Sequence, residues 1–332
     1  ILKAFWNPAP LEERQAVYGR RLAQFELVDS PDAADIHLLP MKWQFYVEHD
    51  RVDEALRAVD VATKAKKPIA VFSLSDYVAN FPSHAPGVHM FQLSGYRSRQ
   101  RTGNHALPAF IDDPLAGGEV DVRAKSGRPV LGFCGQAGSS LPRHAARYIR
   151  TRMRQLNWRL GRERWEPAPL EHTWFRRKVL ETFAKSTAVE TRYVLRTKYR
   201  AGVRTDDRND PAQAARREFL ENVRDTDYTV CMRGGGNFSV RFYEALAMGR
   251  PPVFIDTDCV LPFHDEIDWR RYVIWIDHKD LARGPSLVAE AHASMSEREL
   301  QERQRECRRL WEDRLTPDGF YGHFRELFPE LR

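Results

Sequence analysis

Short apolar runs rich in Val, Ile and Phe recur along the chain, each followed by a stretch whose apolar positions return at helical spacing. That alternation leaves few folds open, because it builds parallel sheets joined by crossover helices. Early in the chain Leu2–Trp6, Asp35–Pro40, Pro68–Leu74 and Val88–Leu93 read as buried strands. Leu11–Phe25 and Val52–Lys66 read as helices between them, the second with Val52, Leu56 and Val59 on one face. A connector follows, IDDPLAGGEVDVRAKSGRP, whose Asp-Pro, Gly-Gly and Ser-Gly pairs mark turns. The alternation then starts again, with strands predicted at Pro129–Phe133, Arg192–Leu195, Tyr228–Arg233, Pro252–Ile255 and Tyr272–Ile276. Asp210 with Pro211 starts a helix running to Val223, and a charged helix near the end carries Leu300, Cys307, Leu310, Trp311 and Leu315 on one side. The reading is an α/β protein with a first domain over 1–120, a second over 121–295, and a helical segment over 296–332 that packs back toward the first.

Composition supports two cores. The 332 residues are 42% hydrophobic and include 18 Phe, 11 Tyr and 8 Trp, enough to fill two ordinary domains. No apolar run approaches the roughly 20 residues that span a bilayer as a helix. The chain opens on Ile1 with no basic stretch ahead of an apolar one, so any leader or anchor is expected to lie before it. Net charge is +6, and 42 Arg stand against 10 Lys. A guanidinium grips phosphate with a planar fork where an ammonium is only a point charge, so anionic ligands are favoured. The four cysteines, Cys134, Cys231, Cys259 and Cys307, form no CxxC and no short Cys/His spacing. Neither structural zinc nor a disulfide framework is expected; the thiols are read as mostly buried, which fits a reducing compartment, and a cytoplasmic location is the expectation. HExxH, GxSxG, GxxxxGK[ST] and GxGxxG are all absent.

The segment from Tyr228 to Ile276 carries the most chemistry. A buried strand ends near Met232, Arg233 and three glycines make a turn, and a helix begins near Ser239 and runs to Met248. Free N–H groups at a helix start, the positive end of its dipole and a backbone that glycine allows close make a cradle for phosphate. Gly234 permits the approach, Ser239 is placed to cap the helix and donate its hydroxyl, and Arg233 and Arg241 flank the turn to neutralise a diphosphate. Glu244, a carboxylate beside a phosphate site, is placed to meet the hydroxyls of a ribose.

Arg233-Gly234, Ser239, Arg241, Glu244-Ala245-Leu246, Gly249, Pro252-Val253, Leu261-Pro262-Phe263, Ile267 and Asp268-Trp269 together resemble the C-terminal signature of the exostosin family, glycosyltransferase family 47. Upstream, Phe133, Gly135 and Arg143 resemble the family's strand ending in Phe-x-Gly with a downstream Arg, and ADIHLLPMKWQFY resembles its N-terminal strand motif. Phe238 stands where a Gly is usual and Arg250 where a Cys is common. The resemblance implies a GT-B architecture, two Rossmann-like doubly wound domains facing across a cleft. It also implies an inverting, metal-independent glycosyltransferase without cofactor, moving a sugar from a nucleotide-sugar donor, a UDP-sugar, to a polysaccharide or glycoconjugate acceptor. Gly135 and Arg143 join the donor set on this ground. A Golgi enzyme whose anchor is absent is the alternative location, and a GDP-fucose-type GT-B transferase the nearest alternative activity.

Such a reaction needs a base for the acceptor hydroxyl, and open α/β sheets present their sites at the C-terminal ends of strands. Asp76, just past the strand ending near Leu74, is the candidate, with Glu48 and His37 behind it. Asp256-Thr257-Asp258 has the DxD form of a metal site, but on this fold we read it as a loop or cap. The sequon Asn237-Phe238-Ser239 falls inside the phosphate cradle and is read as unused. His264 beside Asp265 reads as a surface pair, and Asp112-Asp113 and Asp206-Asp207 as solvated turns. An Arg-rich helix from Arg143 to Arg164 carries one apolar stripe, Ile149, Met153, Leu156 and Leu160. Its charge raises a nucleic-acid-binding alternative, against which no RRM, KH, homeodomain or zinc-finger pattern appears. The Arg faces are expected to be solvated, with contact to anionic lipid headgroups as the other reading.

Overall fold

The computed structural model describes residues 10, 12, 24–82, 85–137, 141–196 and 210–332, with only the backbone at 141–144 and 210. The predicted strand Leu2–Trp6, most of the helix Leu11–Phe25, and Asp206-Asp207 lie outside the described residues. The chain forms two compact units, 1–110 with 260–263 and 312–332, and 111–259 with 264–311.

The first unit holds a parallel sheet of β1 (His37–Leu38), β2 (Ile69–Ser73), β3 (Val88–Gln92) and β4 (Asn104–Ala106), paired in that order. Two helices precede β2, α1 (Trp43–Glu48) and α2 (Val52–Lys64), and α2 buries Ala55, Val59 and Ala62. Much of the core comes from the far end of the sequence: Phe320, Phe324 and Phe328 are fully buried, and Phe324 lies 4.9 Å from Phe91 of β3. Burying each such ring contributes about 1.5–3 kcal/mol. The last segment is therefore divided. Residues up to Trp311 count with the second unit and 312–332 with the first, because the Phe residues that fill the first core lie beyond the turn Trp311–Leu315.

The second unit is a five-stranded parallel sheet of β5 (Val130–Gln136), β6 (Glu190–Arg196), β7 (Tyr228–Met232), β8 (Pro252–Asp256) and β9 (Ile274–Asp277). Its spatial order is β6-β5-β7-β8-β9. β7 and β8 are buried at every position, which is why each reads as an unbroken apolar run. The helices are α3 (Leu141–Arg159), α4 (His172–Ala184), α5 (Asp210–Arg224), α6 (Val240–Ala247), α7 (Gly284–Ala293) and α8 (Glu297–Leu310). Phe175, Val179, Leu180 and Phe183 of α4 join Val288 of α7 and Leu300 of α8 in one core with the sheet. Phe219 and Val223 of α5 pack on Cys134 and Met248 in a separate cluster.

The boundary falls earlier than the turn-rich composition suggests, at 110/111, because buried arginines fasten the connector to the second unit. Arg250, 1% exposed, donates to the carbonyls of Asp121 and Arg224 and to Gln304. Arg123 pairs with the buried Asp227 at 3.0 Å, and Arg308 forks onto Asp113 at 2.7 and 2.8 Å. Asp113 is thus no solvated turn residue: the Arg308 hydrogen bonds, with backbone N–H groups of Leu115 and Gly117, hold its carboxyl down to about 2. Gly249 closes α6 at φ 64°, where a Cβ would come within 2.8 Å of the Gln304 carbonyl.

Candidate functional site

From β5 the chain crosses through α3 and α4 to β6 on one side, then returns through α5 to β7 on the other side of β5. The connections leaving β5 and β7 therefore diverge, and a crevice opens at their C-terminal ends, the usual ligand position in an open parallel sheet. Gly135 is the penultimate residue of one strand, and the turn from Arg233 to Ser239 follows the other.

Arg233 is 3% exposed and donates to the Gly235 carbonyl, while Gly234 N–H donates to the Phe238 carbonyl at 2.9 Å and closes the turn. A Cβ on Gly234 would meet only that carbonyl, at 3.8 Å, so the turn presents open backbone. Arg241, in the first turn of α6, reaches across to β5: Nη2 donates to the Cys134 carbonyl at 2.8 Å and the guanidinium lies 4.1 Å from the Phe133 ring centre. Gly135 makes room for it, since a Cβ there would sit 2.6 Å from that Nη2. The signature residues Gly135 and Arg241, over a hundred positions apart, are thus brought into contact.

Other members of the predicted set stand differently. Ser239 occupies the N-cap position of α6, yet its side chain makes no capping hydrogen bond, contrary to expectation; its backbone is extended there, and the hydroxyl stays half-buried beside the turn. Glu244 is taken by Arg216 of α5 through Oε1. The side chain of Arg143 lies outside the described residues. In the first unit Asp76 is exposed in the bend after β2. Exposed Glu48 ends α1, and His37 contacts the Pro31 carbonyl at 3.0 Å.

Three basic residues at the mouth escaped the sequence reading. Arg176 of α4 donates to the Gln136 carbonyl at 2.7 Å, and its guanidinium lies 6.0 Å from the Phe133 ring centre. Arg147 of α3 donates to Thr173, whose hydroxyl in turn bonds Glu171, the N-cap of α4. Beside them His172 has its pKa lowered, first by burial and then by the charges of Arg176, Arg147 and Arg233, with Glu171 opposing. Those interactions bring Arg233 and the α4 start into one electropositive neighbourhood. The available signal was the spacing of Phe175, Val179 and Phe183, a core-facing stripe that fixes a helix whose first turns carry His172 and Arg176.

At the end of β8 the first carboxylate of the DxD serves the backbone: Asp256 is buried and accepts from Cys259 N–H, while the Thr257 hydroxyl donates to the Asn237 side chain at 2.6 Å. Asn237 is fully buried and also donates to the Thr257 carbonyl, so its sequon offers no accessible amide. His264 and Asp265 are 3.5 Å apart at the surface. All four cysteines are buried and unbonded to one another, and burial pushes the Cys231 thiol up to about 12. Among the described residues no helix is long and apolar enough to cross a membrane.

Residues 165–291 match the Exostosin GT47 domain model, a span that begins before α4 and ends within α7. Exostosin-1 of Drosophila melanogaster is 33% identical over 79 residues, 24% of this chain and 10% of that protein. A probable beta-1,4-xylosyltransferase of Arabidopsis thaliana is 35% identical over 63 residues, 19% of this chain and 15% of that protein. The matches thus span about a tenth to a sixth of these relatives. Among solved structures, a spinosyn rhamnosyltransferase bound to thymidine diphosphate aligns with 95% of this chain and 83% of its own at 11% identity and TM-score 0.33. Over residues 165–291 the chain is similar to the exostosin GT47 domain, and each of its two units is a parallel α/β sheet, as expected of a GT-B architecture.

Proposed function

We propose that the protein is a glycosyltransferase that holds a nucleotide sugar, a UDP-sugar, at the mouth between β5 and β7 and passes the sugar with inversion to a hydroxyl of a polysaccharide or glycoconjugate. The observation that carries this reading is the pairing of Gly135 with Arg241 at a switch point edged by Arg233, Arg176 and Arg147. Fixed guanidinium groups around an open glycine turn suit the two charges of a pyrophosphate, which must be bound and then stabilised as it leaves. The GT47 domain and the names of its relatives, exostosin, probable glucuronosyltransferase and probable xylosyltransferase, support the sugar chemistry.

In the proposed step the acceptor O–H gives its proton to a carboxylate while its oxygen bonds the anomeric carbon. The bond from that carbon to the diphosphate oxygen breaks, and the electron pair leaves with the nucleoside diphosphate. Asp76 is our candidate for the base: it is exposed after a strand end and makes no hydrogen bond or ion pair among the described residues. Glu244 keeps Oε2 for a ribose hydroxyl while Arg216 holds Oε1. The bonds that Asp256 makes to Cys259 N–H and Thr257 to the Asn237 side chain support giving charge neutralisation to arginine and the α6 start rather than to a cation. Four separate buried thiols support a reducing compartment. Incubation with a panel of UDP- and GDP-sugars and glycan acceptors, with and without chelator, tests the reading. Chelator-resistant transfer from a UDP-sugar giving an inverted product is expected; hydrolysis only, or transfer from GDP-sugars alone, would contradict it.

A further inference from the structure

The helix α3 is mounted with its apolar side outward. Its 19 residues contain six Arg and no Asp or Glu. Ile149, Met153 and Leu156, with Leu160 just beyond, fall on one line, and such a stripe is expected to face a core. Here they are 58%, 60%, 57% and 56% exposed. The cause lies in the next helix: α4 covers this face of the sheet with Phe175, Val179, Leu180 and Phe183, so α3 has no core left to fill.

Instead α3 sits on the domain by its polar side. Arg147, Thr151, Arg154, Gln155 and Asn157 are half-buried there. Arg147 donates to Thr173, Arg154 pairs with Glu163 at 2.9 Å, and Gln155 donates to the Ala168 carbonyl. Arg152 and Arg159 border the outward stripe on one side and Arg150 on the other, all exposed. Tyr148 stands on the Arg152 border, 54% exposed, with Arg152 donating to its hydroxyl at 3.1 Å.

We propose that α3 is an interfacial helix that lays Ile149, Met153, Leu156 and Leu160 into the surface of an anionic bilayer, with Arg150, Arg152 and Arg159 at the headgroup phosphates. Aliphatic groups on the axis of the exposed face and guanidinium groups along both its edges match the two depths of a lipid surface, apolar below and anionic above. A nucleic acid would leave the aliphatic line without a partner. Helix α3 is about 28 Å long and too charged to cross a membrane, so it lies along the surface. This inference stands apart from the donor-site reading.

Co-sedimentation of the full chain with vesicles of phosphatidylcholine alone, or with about a third phosphatidylglycerol, tests it. Binding at least about tenfold stronger to the anionic vesicles, weakened by salt, is expected. Met153→Asp with Leu156→Asp should abolish binding with an unchanged Tm, since both side chains are already in water. Arg150→Gln with Arg152→Gln should remove the anionic preference and keep the fold. No binding to either vesicle, equal binding to both, or variants that bind like the parent would overturn the proposal. So would concentration-dependent self-association that these variants abolish while vesicles go unbound.

Discussion

The two sheets end in different chemistry. At the mouth of the second unit the groups are guanidiniums: Arg241 on the Cys134 carbonyl, Arg176 on the Gln136 carbonyl, and Arg233 buried in the turn between. At the corresponding ends of β2 and β3 in the first unit they are amides and hydroxyls, beside the exposed carboxylate of Asp76 in the bend after β2. Gln44 donates to Ser73 and Ser75 and accepts from Leu74 N–H, and Gln92 accepts from Ala79 N–H. One mouth suits a polyanion and the other a neutral polyol, which is the division that the proposed function assigns to donor and acceptor.

The sharpest way to break that contrast is Asp76→Asn. Turnover should fall about 10²–10⁴-fold, the usual scale for a lost base, while UDP binding stays intact; near-normal turnover would remove Asp76 from the reaction. Next, Arg241→Ala should weaken UDP about 10–100-fold, the scale of a charge-assisted hydrogen bond to phosphate, by calorimetry. Gly135→Ala should reproduce part of that loss by displacing the same guanidinium, with little change in Tm. If both bind as the parent does, the second mouth is not where the phosphates sit.

Arg308→Met tests whether the connector belongs to the second unit. Asp113 has its carboxyl pKa depressed to about 2, so its pairing adds stability above an unfolded pKa of about 4 that is lost as pH falls through 2. The variant should cost about 2 kcal/mol at neutral pH and leave UDP affinity alone. The smallest effect is expected at His172. Its pKa is lowered from the usual histidine value, by burial first, with Glu171 opposing and the neighbouring arginines adding to the shift. A bound diphosphate would raise that pKa and draw a proton, so affinity should climb several-fold as pH drops below neutrality. In His172→Asn the climb should vanish, and a pH profile identical to the parent's would place the histidine away from the ligand.

What could be read in the sequence follows from how each element is buried. VLGFC, YTVCM and PVFID are strands covered on both faces, and continuous apolar runs reveal them to within a few residues. β4, Asn-His-Ala, is short and half-buried, and no pattern marks it. Arg233, Gly234 and Arg241 were visible because turn and helix are local. Arg147, His172 and Arg176 were not, because a crossover brings them to the mouth from up to 86 residues upstream of Arg233. Periodicity also told that α3 has an apolar stripe without telling which side faces water; that depended on α4 taking the sheet first.

A crystal structure of the protein with UDP tests the central claim most directly. We expect the pyrophosphate against the Gly234–Ser239 turn, within hydrogen-bonding reach of Arg233 and Arg241. Nucleotide bound instead in the groove of about 880 Å³ along α5, lined by Gln213, Arg216, Arg217 and Arg224, would contradict it.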